Sequence, residues 1–558
     1  MPLALRSLAI LLGAAAVVAG AASMGAEPAT LLVVGGRVWT GDPARPWAEA
    51  VAARGEQVVA VGPRAEVEKL ADEATDVVDA AGGLVTPGWI DSHVHLFQGG
   101  ANLRSVQLRD ADSRAVFVER LREHAATREP GEWILGGDWD HTLWGGELPD
   151  RAWIDEATPR NPVWINRLDG HMALANTLAL ERAGVEEDVA APAGGAIERD
   201  DSGRLTGLLR DNAMALVERV VPDESASERL AALDAAVEYL LANGVTTVCH
   251  MGTLDQARLL RSARQSGRLR VRVHASTPLS GWELLLAEIE RAGPGDGWVR
   301  LGGLKGFVDG SLGSHTAAML EPFTDQPTDR GLLVNSEDDL YAWIKGADAA
   351  GLVIRVHAIG DRANRLLLDI YERVATENGP RDRRFRIEHA QHLHPDDLPR
   401  FAGLGVIPSV QPYHAIDDGR WAEGVIGAER CRTTYAFRSL LDSGARLAFG
   451  SDWFVAPASV LEGVRAAVYR RTLDGVNPDG WVPEEKITPE EALHAYTTGA
   501  AHALFEESRL GVLRPGAAAD LVVSNVDWLA DDAQRLPEAA VRTTIVGGRV
   551  AYDAAAAE

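Results

Sequence analysis

Apolar residues recur through the middle of the chain in short, near-continuous runs separated by longer stretches with helical spacing. The runs fall at 88–95, 245–250, 269–276, 299–309, 352–357, 385–389, 406–411 and 446–452. Strands that are apolar on both faces belong to a parallel sheet covered by helices. Amphipathic stretches between them, such as 227–242 and 362–377, complete strand–helix–strand units. Eight such strands predict an α/β fold, a (β/α)8 TIM barrel.

The two ends have a different pattern. Short β-rich stretches are broken by glycine, and Val34-Gly35-Gly36-Arg37-Val38 returns near the other end as Val546-Gly547-Gly548-Arg549-Val550. Both read as hairpins with glycine at the turn. They predict one small β-sandwich-like domain built from both termini, residues 27–86 and 505–558, around a barrel at 87–504. About 150 residues separate the first and second barrel strands, far more than a connection needs. An inserted subdomain at about 100–240, with a helix at 114–126 and strand-like segments at 133–135 and 163–165, therefore follows the first strand. That loop belongs to the catalytic face of a barrel, so the insertion is expected to cap the site.

Residues 1–26 read as a signal peptide: Arg6, an apolar run over 8–18, then Ala19-Gly20-Ala21. The expected location is thus outside the cytoplasm, periplasmic or secreted. An uncleaved anchor is the alternative, at the short limit for spanning a bilayer.

Composition narrows the partners. Lys plus Arg number 55 against 81 Asp plus Glu, a net charge of −26. That disfavours nucleic acid and anionic membranes. The expected partner is a small-molecule substrate, with no membrane association after signal cleavage, and a homodimer stays open. Arginines at 261, 264, 268, 270 and 272, and at 381, 383, 384 and 386, read as solvated faces. Only Cys249 and Cys431 are present, so neither a disulfide framework nor a thiolate zinc site is available. The chain has no P-loop, dinucleotide-binding glycine motif, nucleophile elbow or H-E-x-x-H.

Polar residues collect at the C-terminal ends of the predicted strands. The first ends in His93-Val94-His95, the fifth in His357, the sixth in His389 and the eighth in Asp452. Residues two apart on a strand share a face, so His93 and His95 can grip one cation. The pair alone would equally suit core histidines; three further strand ends offering His, His and Asp favour a metal. Lys305, inside an apolar strand, demands neutralisation or pairing. A salt bridge to Asp309 and carbamylation by CO2 both answer that demand.

The segments Thr86-Pro87-Gly88-Trp89-Ile90-Asp91-Ser92-His93-Val94-His95, Val356-His357-Ala358-Ile359-Gly360-Asp361, Ile387-Glu388-His389-Ala390-Gln391 and Phe449-Gly450-Ser451-Asp452 resemble the amidohydrolase superfamily. The chain is most similar to the amidohydrolase-3 branch, the YtcJ-like group that includes N-substituted formamide deformylase. Lys305-Gly306-Phe307-Val308-Asp309-Gly310-Ser311 resembles the same branch. The resemblance implies a metal-dependent hydrolase that cuts a non-peptide C–N bond, amide or formamide-like, in a small molecule. It implies one metal held by His93, His95 and Asp452 and another by His357 and His389. Carboxylated Lys305 would bridge them, and Asp452 would transfer the proton. One or two divalent ions per chain are expected, zinc foremost. Ester or lactone hydrolysis, ring deamination and an inactive ligand-binding barrel remain the alternatives, since a barrel does not fix its reaction.

Substrate contacts are expected from the insertion and the loops. Trp139 and Trp144 would supply aromatic walls, and Asp169 and His171 polar contacts. His315 would face the metals from the loop after the fourth strand, and Arg210 would meet a substrate carboxylate.

Overall fold

A computed structural model describes residues 27–222, 225–530 and 534–557; the expected signal segment, 1–26, lies outside the described residues. Each of the eight apolar runs forms a strand. They are β1 (Trp89–Val94), β2 (Val245–Met251), β3 (Arg272–Pro278), β4 (Val299–Phe307), β5 (Val353–Ala358), β6 (Arg386–His389), β7 (Ile407–Val410) and β8 (Ala448–Phe449). Neighbours pair in parallel in chain order. The ring closes where Val94 bridges Trp453 in parallel and the Asp452 amide donates to His93 O at 2.8 Å. Gly450 permits this seam, because a Cβ there would stand 2.7 Å from the His93 nitrogen. β8 is shorter than its run, since the chain leaves the sheet at Gly450 to carry Asp452 across the seam.

The covering helices follow the 3.6-residue period. Ala226–Ala242 starts on a capping box of Ser225 and Glu228 and buries Leu233, Val237, Leu240 and Leu241. Asp361–Asn378 buries Leu367, Leu368, Ile370 and Val374. Both join the main core with the barrel strands. Among the described residues no helix is long and apolar enough to cross a membrane.

The termini build two sheets. One holds Leu31–Val34, Ala50–Arg54, Gln57–Gly62 and Asp76–Asp79; the other joins Arg37–Trp39, Trp47–Ala48 and Leu84–Pro87 to Leu521–Ser524, Val541–Val546 and Arg549–Asp553. Leu31, Val33, Val38, Val85, Leu521, Val523 and Ile545 share one core between them. The C-terminal Gly547-Gly548 hairpin forms as expected. The N-terminal one does not: at Gly35-Gly36 the chain crosses from one sheet to the other, and Leu31–Val34 pairs with Ala50–Arg54 and Asp76–Asp79 instead. Burying both flanking strands in a sandwich outweighs a local turn.

Two arginines expected on solvated faces are buried. Arg272 makes a paired contact with Asp520, at 2.7 and 3.0 Å, that ties the barrel to the terminal sheets. Arg386 lies inside the barrel.

The insertion forms its own six-stranded sheet, in the order Gly195–Arg199, Leu205–Asp211, Met172–Ala175, Val163–Arg167, Ile134–Trp139 and Val106–Gln107. Its helix spans Arg114–Ala126 and is capped by Ser113. Separate apolar clusters lie on its two faces.

Candidate active site

A cavity of about 680 Å3 opens at the C-terminal ends of the barrel strands. Its floor carries His95, Lys305, His357, His389 and Asp452, and the insertion supplies Asn166, Asp169 and His171 from above. The insertion therefore forms one wall of the cavity.

His93 and His95 both turn toward Asp452. Their Nε2 atoms stand 3.4 and 3.3 Å from Asp452 Oδ1, and His389 Nδ1 stands 3.9 Å from Oδ2. Asp452 Oδ1 is buried and has no hydrogen-bond partner of good geometry among the described residues. Asp452 and His389 adopt left-handed backbone angles, φ 58° and 74°, which a non-glycine residue keeps only when the surroundings hold it. Here that strain aims both side chains at a common point. His357 stands beside them, its ring 4.6 Å from that of His389.

Burial disfavours charge on these histidines. Burial and the nearby Lys305 bring His93 down to about 4. His389 is held well below the usual imidazole range by burial and by His357. At neutral pH both are free bases. Burial would raise the Asp452 carboxyl, but His93, His95 and His389 hold it well below its ordinary value. Neutral imidazoles around an ionised carboxylate with an unsatisfied oxygen form a donor set that fits a divalent cation.

Lys305 lies in β4 with Nζ 3.1 Å from His93 Nε2 and 4.8 Å from the centre of the Phe307 ring. Burial lowers it to about 8. Of the two answers the sequence left open for Lys305, the salt bridge to Asp309 is not made. Asp309 instead accepts from the amides of Ala318, Ile359 and Gly360 and stands 3.4 Å from His357 Nε2.

The supporting shell was not foreseen. Glu388 is fully buried, accepts from His93 Nδ1 at 2.6 Å and pairs with Arg386 at 2.9 and 3.1 Å. A carboxylate behind the ring sets the tautomer and turns Nε2 toward the cavity. Gln411 does the same for His389, at 2.8 Å. His414 brings a further buried nitrogen without a partner, grouped with His389 and Asp452. The one sequence signal for this shell was Arg386-Ile387-Glu388, two opposite charges spaced to share a face inside an apolar strand.

The sequence profile of the amidohydrolase family matches residues 76–552. The chain belongs to the amidohydrolase family. Protein LONG AFTER FAR-RED 3 of Arabidopsis thaliana is 42% identical to this amidohydrolase over 94% of its chain and 92% of the plant protein. N-substituted formamide deformylase of Arthrobacter pascens is 29% identical over 94% and 98%. A solved structure of an uncharacterized metal-dependent hydrolase from Pyrococcus horikoshii superposes with a TM-score of 0.72 at 28% identity, covering 90% of this chain and 99% of that one.

Among the expected substrate contacts, Asp169 and His171 line the cavity of this amidohydrolase. His171 Nδ1–H donates to Asp211 Oδ1, 2.6 Å away, and the ring lies 5.2 Å from that of His357. The other four expectations are corrected. Trp139 is wholly buried in the insertion, its indole bonded to Ile165 O at 3.0 Å. Trp144 packs on Phe117 and Trp153 and donates to Glu147 O. His315 pairs with Asp325 at 2.9 Å and lies outside the cavity wall. Arg210 is spent on Glu198 and Ser314 O, both at 3.0 Å. In each case a partner within the protein takes the group that a substrate was expected to meet: the packing of the insertion for Trp139 and Trp144, Asp325 of its own loop for His315, and Glu198 with Ser314 O for Arg210.

Asp169 is itself held by Arg167 at 2.7 Å and by the Ser311 hydroxyl at 2.6 Å. Burial would raise its carboxyl, but Arg167, His171 and Ser311 outweigh it and bring it to about 2. A folded-state pKa below the unfolded one stabilises the fold above the unfolded value, and that stabilisation fades as pH falls toward the folded value. Asp169→Asn is therefore expected to lose roughly 2 kcal/mol at neutral pH. Urea midpoints should show the gap to the wild type narrowing from about pH 4 downward. A gap that stays constant to about pH 3 would contradict the assignment.

Proposed function

We propose that this amidohydrolase uses one or two divalent ions, zinc foremost, to hydrolyse an amide or formamide-like C–N bond of a small molecule. The observation that carries the reading is the convergence of His93 and His95 on the unsatisfied Asp452 Oδ1 at the floor of the cavity. His93, His95 and Asp452 would hold one ion, and His357 and His389 the other. An ion held by these residues would supply Lewis-acid chemistry, lowering the pKa of water and polarising a carbonyl.

The chain's own groups do the rest. Asp452 is ionised, so it can take a proton from the attacking water and give it to the leaving nitrogen. Glu388 keeps His93 Nε2 facing the cavity. Lys305 is the group proposed to carry a carboxylate: its desolvated amine attacks CO2, an N–C bond forms, and the displaced proton leaves to solvent. The resulting anion would remove the positive charge that otherwise stands 3.1 Å from His93 Nε2. The insertion excludes water and orients the substrate with Asn166 and His171. The similarity to N-substituted formamide deformylase supports the C–N bond as the target. Export to the periplasm or medium is proposed on the sequence of residues 1–26.

The test is metal content per chain by mass spectrometry, on protein produced with zinc and bicarbonate, beside amine release from an N-substituted formamide. One or two ions per chain are expected, with hydrolysis lost on chelation and restored by zinc. A folded protein that neither contains nor takes up metal would refute the reading.

A further inference from the structure

A second cavity, about 300 Å3, lies at the other end of the barrel, under the N-terminal halves of β3, β4 and β5. Arg355 on β5 reaches into it. It shares a barrel face with His357, two residues and about 6.6 Å further along the strand. Arg355 is 2% exposed, and among the described residues its side chain makes one hydrogen bond, from Nη1 to Ser276 Oγ at 2.6 Å. Its Nε is buried with no partner. The carboxylate that acts on it most is Glu388, already committed to Arg386 and His93.

A buried cation without a counter-charge is costly. Arg272 has Asp520, Arg386 has Glu388 and Arg167 has Asp169, while buried Arg470 donates instead to the carbonyls of Trp481, Tyr435 and Thr434; Arg355 has neither arrangement. The space for Arg355 is built into β4, because a Cβ on Gly303 would stand 1.8 Å from Nη1. A Cβ on the adjoining Gly302 would meet open space.

The rest of the wall is positive as well. Arg381 and Arg383 share the single carboxylate of Asp348, at 2.7 and 3.0 Å. Arg300 uses Glu506 at 2.8 Å. The lining carboxylate, Asp382, is taken by Arg384 at 2.9 Å. His274 is kept neutral by burial and by the surrounding arginines, so it adds a polar contact without charge. Leu352, Leu504 and Phe505 give the cavity an apolar side.

We propose that this cavity is a binding site for a small organic oxyanion, a carboxylate or phosphate, seated on the Arg355 guanidinium. The planar fork of arginine matches both anions. The apolar wall and the volume leave room for a carbon skeleton beyond the anionic group. The site is separate from the catalytic floor and does not depend on the reaction assigned there.

Inorganic phosphate and acetate are the probes, titrated calorimetrically into the full chain at constant ionic strength. Saturable binding is expected in the wild type and equally in Asp452→Asn, whose altered group lies at the opposite cavity. Arg355→Met should abolish it, and Arg300→Gln at the rim should weaken it about tenfold. The stronger of the two probes identifies the anionic group. No saturable binding to the wild type, unchanged affinity in Arg355→Met, or loss in Asp452→Asn alone would each overturn the proposal. Should Arg355→Met fail to fold, unchanged affinity in Arg300→Gln would do the same.

Discussion

Replacing Asp452 by asparagine is expected to lower kcat by between about a hundredfold and ten-thousandfold, the range a positioned acid–base group supplies. The fold should survive. The carboxylate is buried, and His93, His95 and His389 hold it well below its ordinary value, so its ionised form contributes stability at neutral pH. An amide of the same shape loses that contribution. Metal-free Asp452→Asn should thus be less stable than the metal-free wild type at neutral pH by chemical denaturation, the gap narrowing as pH falls, while metal content falls. Low activity in folded protein supplied with excess metal is the signature of a group kept for chemistry. Activity within tenfold of the wild type would remove Asp452 from the proposed mechanism.

The second large effect is expected at Glu388. Glu388→Ala leaves Arg386 buried without its counter-charge, and breaking such a pair costs about 3–5 kcal/mol. Glu388→Gln keeps the shape and an acceptor for His93 Nδ1 but loses the charge. It should fold, bind metal about 10–100-fold more weakly, and lose activity in proportion. Excess zinc should then restore part of the rate in Glu388→Gln and little in Asp452→Asn, because the first variant is damaged in holding the ion and the second in moving the proton. Equal rescue of both would show that Glu388 and Asp452 do not divide the work in this way.

The fold could be read a long way from the chain alone. Eight apolar runs became eight barrel strands, because strands buried on both faces leave a continuous hydrophobic signal that few other elements imitate. The histidines at 93, 95, 357 and 389, with Lys305 and Asp452, were legible as a group because a parallel barrel sends every strand's C-terminus to one face. The errors share a cause. Gly35-Gly36 carries a valid local turn signal, yet the adjacent strands gain more by packing in different sheets. Trp139, His315 and Arg210 carry side chains suited to binding, yet Trp139 and Arg210 are absorbed by the packing and ion pairs of the insertion and His315 by Asp325 of its own loop.

What the sequence determined by itself, then, is periodicity and order: which segments are strands, how many there are, and which residue types stand at their ends. Those follow from burial, which acts on each segment through its own composition. Partnership was decided only in three dimensions. Asp309 goes to His357 and three backbone amides and not to Lys305, Glu388 stands between Arg386 and His93, and Arg355 is left without a carboxylate. Such pairings depend on distances of a few ångströms between strands far apart in sequence. In a low-dielectric interior those distances set which charges are satisfied and which stay open for a ligand.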